Sequence, residues 1–265
     1  MRKTERGRPN GGIAMASHYI EFQNVCKAFG DNRVLDDVSF YVDPGETLVI
    51  LGRSGVGKSV TLQHVMGFLK PDTGRVWVAG EDITDYRESE LQRIRRKVTM
   101  VFQSGALFDS LTIFENVAFP LREMRSYTEE NIEEVVLGLL DLLEIRELAD
   151  ELPSGLSTGM KRSAAIARAL AARPEAVLYD EPTTMVDPLM SHHIESLIER
   201  LKRQLKLTSV VVTHDTRLAR RVADRMVFLE AGHVAFFGEP EKLPLCSDEL
   251  IREFLLEDEI RFAPG

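Results

Sequence analysis

Gly52 and Gly57 bracket Arg53, Ser54, Gly55 and Val56, and Lys58 and Ser59 follow directly. Glycines at this spacing let the backbone curl until its N–H groups face inward, a cradle for phosphate oxygens. Lys58 supplies a point charge for β- and γ-phosphates, and Ser59 a hydroxyl for Mg²⁺. Downstream, the apolar run Ala176–Tyr179 ends in Asp180 and Glu181. Asp180 suits an outer position around Mg²⁺. Glu181, one residue on, points elsewhere and can orient or deprotonate a water. Together these groups suit phosphoryl transfer to water.

Such groups must be held by regular elements. The run Thr47–Leu51 before the glycine loop predicts a buried strand. The apolar spacing of Leu62, Val65, Met66 and Leu69 after it predicts a helix. Further strands are expected at His18–Phe22, Val38–Val42, Arg75–Ala79, Val98–Phe102, Ala176–Tyr179, Ser209–Thr213 and in a hairpin near 226–237. Helices are expected at Glu88–Lys97, 157–172, 188–205 and 215–223. Residues 104–152 carry helical periodicity (Val135, Leu139, Leu140, Leu143) and no clear strand, which reads as an inserted helical subdomain. Alternation of strand and helix implies an α/β fold with a mostly parallel sheet.

Composition bounds the rest. The 265 residues carry 33 Lys plus Arg and 42 Asp plus Glu, a formal charge of −9, and 44% are hydrophobic. That length supports a sizeable core, and the balance argues against wholesale disorder. The acidic balance disfavours non-specific nucleic-acid binding. No uncharged apolar run reaches the ~18–20 residues a membrane span needs, so the expectation is a soluble, cytosolic chain. Cys26 and Cys246 lie far apart without metal spacing and are expected as reduced thiols. Residues 1–17 read as a disordered lead, with Met15 an alternative start, and the domain proper as 18–246. The tail 247–265 sets six carboxylates against Arg252 and Arg261, a net of −4. It reads as an acidic amphipathic helix outside the main sheet, either loose or partner-binding. Arg93, Arg95, Arg96 and Lys97 read as a solvated or salt-bridged face.

Five further stretches then carry a resemblance. Leu156-Ser157-Thr158-Gly159-Met160 resembles the signature of the ATP-binding cassette (ABC) ATPases, Gln103 their Q-loop, His214 their switch histidine, and Pro182–Pro188 with Asp187 their D-loop. Phe29 stands where the family places an aromatic against adenine. The resemblance covers about 18–240 in family order. It implies a P-loop NTPase fold with an N-terminal antiparallel β-subdomain and an inserted α-helical subdomain (about 104–152). It implies ATP with Mg²⁺, and a head-to-tail homodimer in which Ser157 and Gly159 of one copy face the γ-phosphate in the other. Glu181 and His214 would then be catalytic, with Gln103 joining Ser59 and Asp180 around Mg²⁺. Thr158 and Met160 depart from the family signature. Thr158 puts a β-branched side chain, which restricts φ, where glycine is usual. Met185-Val186 depart from the Gly-Leu common before the D-loop aspartate.

Residues 102–123 and the tail resemble the Mla-type phospholipid transport ATPase group. That implies a transmembrane permease, an MCE-domain lipid-binding protein, and a place on the cytoplasmic face of the inner membrane. Leu107, Phe108, Ile113, Phe114 and Phe119 could line a groove for a partner helix or form the subdomain's own core. The alternatives are an ATPase subunit for another cargo, amino acid or lipoprotein, and a soluble non-transport ABC ATPase.

Overall fold

Two long strands, β1 (Ile20–Phe29) and β2 (Asn32–Val42), pair antiparallel from Ile20–Val42 at one end to Phe29–Asn32 at the other. The computed structural model describes residues 18–261, and the expectation for the lead at 1–17 lies outside them. Both strands run further than their alternation suggests. Register shifts between Phe22 and Val25 and again around Lys27 break the period of two, so the pattern stops before the strand does.

The chain leaves this hairpin for β3 (Thr47–Leu51), every residue of which is buried. Helix α1 (Lys58–Val65) follows the glycine loop. The chain then returns through β4 (Thr73–Val78) and the short β5 (Glu81–Asp82), giving a four-stranded antiparallel sheet in the order β2-β1-β4-β5. Helix α2 (Glu88–Lys97) runs into β6 (Val98–Val101). Its basic run is absorbed locally: Arg93 and Lys97 pair with Glu81, and Arg95 with Glu88.

No strand is described between Val101 and Ala176. This stretch holds α3 (Ile113–Met124), α4 (Glu129–Leu142) and α5 (Thr158–Ala171). Thr112 caps α3 in a reciprocal pair with Glu115, a signal strong enough to start a helix that also carries Pro120. The chain then alternates through β7 (Ala176–Asp180), α6 (Pro188–Leu205), β8 (Thr208–Thr213), α7 (Thr216–Val222) and the hairpin β9 (Arg225–Glu230) and β10 (His233–Gly238). The second sheet has the order β10-β9-β3-β8-β7-β6, with only β10 antiparallel to its neighbour.

Alternation along the central strands divides the core in two. Leu48, Ile50, Leu178, Val210 and Val212 face the antiparallel sheet. Val49, Val177, Tyr179 and Val211 face the helical layer with α3, α5 and α6. The tail belongs to neither sheet. It forms helix α8 (Glu249–Arg261), whose Ile251, Phe254 and Leu255 are buried in the helical-side core. Phe254 meets Phe228 of β9 edge-to-face at 5.1 Å. The helix is therefore not loose: its apolar face packs into the core while its acidic residues Glu253 and Glu257 stay exposed.

Among the described residues no helix is long and apolar enough to cross a membrane. Cys26 and Cys246 are free thiols.

Candidate functional site

The strand order sets the site. β3, β8, β7 and β6 are neighbours and parallel, with Leu51 level with Thr213, Val212 with Asp180, and Tyr179 with Val101. Their carboxyl ends therefore deliver the glycine loop, His214, Asp180-Glu181 and Gln103 to one edge, where open parallel sheets bind ligands. A cavity of about 770 Å³ opens there. Phe29, Arg53, Ser54, Gly55, Gly57, Lys58, Ser59, Gln103, Glu181 and His214 line it. Gly52 and Val56 complete the loop without lining the cavity.

Gly57 shows why the loop needs glycine. Its φ is 103°, and a Cβ there would lie 2.8 Å from the Val34 carbonyl oxygen. The residue joins the loop to α1 with its backbone pressed against β2. Helix α1 then begins at Lys58, and its N-terminal end faces the cavity with partial positive charge.

Lys58 is almost wholly buried. Its Nζ donates to the Gly52 and Arg53 carbonyls at 2.8 and 2.9 Å and lies 3.4 Å from Glu181 Oε1. Burial pulls its pKa down, against the opposing pull of Glu181 and Asp180. Glu181 divides its two oxygens. Oε1 faces Lys58, while Oε2 accepts from Thr184 Oγ1 at 3.0 Å and from His214 Nδ1 at 2.9 Å. Burial raises the Glu181 pKa, but His214, Lys58 and Thr184 together outweigh it, so the carboxyl sits below its ordinary value. The same hydrogen bond from His214 to Glu181 raises the histidine. Glu181 also has a φ of 46°, a left-handed conformation that costs a non-glycine residue and is often found at functional sites.

Ser59 Oγ donates to Asp180 Oδ1 at 2.8 Å, and burial raises the Asp180 pKa despite that bond. The Ser59 hydroxyl and the half-buried Asp180 carboxylate thus meet, with Gln103 on the same cavity wall, and their oxygens make a hard donor set. That is the kind Mg²⁺ takes, commonly beside substrate phosphates. Bound there, Mg²⁺ would neutralise phosphate charge.

Ser157, Gly159 and Asp187 do not line this cavity. In the single chain they do a different job. Ser157 caps α5 by accepting from Met160 N, and Asp187 caps α6 by accepting from Met190 N at 3.0 Å. Thr158 is the first residue of α5 and is absent from the positive-φ positions, so its β-branch fits where the sequence alone suggested restriction.

Several residues escaped the sequence reading. Thr184, Val34, Val60, Phe254 and Glu257 also line the cavity. Arg162 of α5, 1% exposed, donates to the Phe102 and Gln103 carbonyls, and Arg168 to those of Gly105 and Ala106. No local pattern marks these contacts, because each joins segments far apart in the chain. Of the apolar groove residues, Ile113 is core. Leu107 and Phe114 pack against it, and only Phe108 and Phe119 are exposed, their rings 4.9 Å apart.

A family model described as ABC transporter matches residues 35–184. Similar curated proteins include the probable ribonucleotide transport ATP-binding protein mkl of Mycobacterium leprae, 38% identical over 94% of this chain and 70% of that one. The intermembrane phospholipid transport system ATP-binding protein MlaF of Haemophilus influenzae is 38% identical over 91% of each chain. The methionine import ATP-binding protein MetN of Cupriavidus pinatubonensis is 41% identical over 83% of this chain and 64% of that one. Among solved structures, the dimeric cassette MJ0796 in a post-hydrolysis state with ADP and Pi superposes with a TM-score of 0.77. It is 33% identical, over 83% of this chain and 98% of that one. The phosphate-cradling loop, the acidic strand end and these matches agree, and the chain belongs to the ABC transporter family as an ATP-binding subunit that hydrolyses ATP with Mg²⁺.

Proposed function

We propose that this subunit powers phospholipid movement as a head-to-tail homodimer beneath a transmembrane permease, with an MCE-domain lipid-binding protein, at the cytoplasmic face of the inner membrane. The observation that carries the dimer is the separation within one chain. The Lys58–Glu181–His214 cluster lines the cavity, while Ser157 and Gly159 lie outside it. A second copy turned end for end supplies the missing half.

In this reading Phe29, nearly half exposed at the cavity wall, stacks on the base. Lys58 exchanges its carbonyl partners for β- and γ-phosphate oxygens, and Ser59, Gln103 and Asp180 hold Mg²⁺. As Lys58 turns to phosphate, Glu181 Oε1 is left free to accept a proton from water, while Thr184 and His214 keep Oε2 in place. Positioning and charge neutralisation supply most of the acceleration. Ser157, Gly159 and Asp187 contribute from the partner copy. Phe108 and Phe119, exposed beside the 102–106 loop, are the apolar contact for a permease helix.

The phospholipid cargo is supported by the match to MlaF along both chains. Amino-acid import is the second reading, favoured by the 41% identity to MetN. Reconstitution separates them. Proteoliposomes carrying the subunit with a co-purifying permease should transfer labelled phospholipid only with ATP, and not with Lys58→Ala. ATP-driven methionine uptake without lipid transfer would decide for the second reading.

A further inference from the structure

Helix α8 brings acid to a phosphate site. Its apolar face is fixed by Ile251, Phe254 and Leu255, which are buried, and by the Phe254–Phe228 ring contact. Glu253 and Glu257 lie four residues apart, on one face of the helix. Both reach Arg53 of the glycine loop: Arg53 Nη2 is 3.1 Å from Glu257 Oε1 and 3.8 Å from Glu253 Oε2. Phe254 and Glu257 also line the cavity that holds Lys58 and Ser59. A cation of the phosphate loop is therefore occupied by carboxylates, and one of these stands at the cavity wall.

We propose that α8 is an acidic gate on the nucleotide site, in which Glu253 and Glu257 set nucleotide affinity by holding Arg53 and repelling the incoming polyphosphate. The gate rests on the reading of this cavity as the ATP site. A triphosphate must enter against the Glu257 charge and compete with it for Arg53. The cost is greater for ATP than for ADP, because ATP carries more charge. All three side chains are substantially exposed, so the effect is moderate and screened by salt. Affinity thus depends on a helix reached some two hundred residues after the loop it touches.

The test is nucleotide titration of the full chain in low and high salt. Glu253→Gln with Glu257→Gln should bind ATP about three- to tenfold more tightly than wild type at low salt, with a smaller gain for ADP. The gain should shrink at high salt. The charge-preserving pair Glu253→Asp with Glu257→Asp should stay within about twofold of wild type. Unchanged or weaker ATP binding in the glutamine pair overturns the gate, as does a gain that survives high salt or recurs in the aspartate pair. If wild type fails to bind ATP, or Lys58→Ala binds it equally well, the nucleotide-site reading falls and the gate with it. Normal ATP binding with no glutamine effect removes the gate alone.

Discussion

Gly159 and Met190 are in direct packing contact. A Cβ at 159 would lie 2.9 Å from Met190 Cβ and 2.7 Å from its terminal methyl. The N-terminus of α5 thereby rests on the first turn of α6, whose Met190 N–H is the donor to Asp187. Gly159→Ala is predicted to destabilise the fold by about 1–3 kcal/mol through overpacking, read by urea unfolding. Met190→Ala in the same chain should recover part of that loss. A Gly159→Ala variant as stable as wild type would show that the contact relaxes freely.

Lys58→Ala should leave the fold intact and weaken ATP binding at least a hundredfold, on the scale of a lost phosphate-facing charge (~3 kcal/mol). Its carbonyl partners are loop groups that water can serve, and Glu181 keeps Thr184 and His214. Isothermal titration checks this, and near-normal affinity would contradict the assignment of the loop.

Glu181→Gln should bind ATP, hydrolyse it about 10²–10⁴-fold more slowly, and accumulate as a dimer on size exclusion. Thr184→Ala should lower kcat several-fold with KM little changed, because the Thr184 hydroxyl donates to the Glu181 carboxylate. Thr184→Ser should restore it. A Thr184→Ala effect confined to KM would assign the residue to binding instead.

The His214–Glu181 pair has a pH signature. The histidine pKa is raised above its ordinary 6.5 by the glutamate. Its contribution to stability is therefore fully present below pH 6.5 and is lost as pH rises through the raised value. The stability difference between wild type and His214→Gln should be largest in mild acid and shrink towards alkaline pH. Glu181 is shifted the other way, so its share is lost only as pH falls through its lowered value. Denaturant midpoints of both proteins across pH 5–9 measure the window. A difference independent of pH would mean that the histidine is not charged in the folded state.

Much of this was legible in local pattern. Lys58, Ser59 and Glu181 announce themselves by motif, and the bounds of α2 and α6 follow from charge, proline and apolar spacing. What escaped has a physical reason in each case. Residues 23–29 of β1 escape the pattern because bulges interrupt alternation. Pro120 sits inside α3, where it would normally argue against a helix, because the Thr112–Glu115 cap and the burial of Val117 and Leu121 prevail. The tail helix is amphipathic in sequence, but nothing local states that its apolar face meets Phe228 or its acidic face Arg53. Those are long-range choices of the folded chain.

Arg162 and Arg168 clasp four carbonyls of one short loop, those of Phe102, Gln103, Gly105 and Ala106. The loop is thereby tied to α5 by hydrogen bonds from two of that helix's side chains. A push delivered near Phe108 would therefore be passed through these bonds to the helix that Ser157 caps. In the proposed head-to-tail pair, with Ser157 facing the neighbour's nucleotide and Gln103 the copy's own, such a displacement would reach both. On that reading one mechanical input would address two pockets at once.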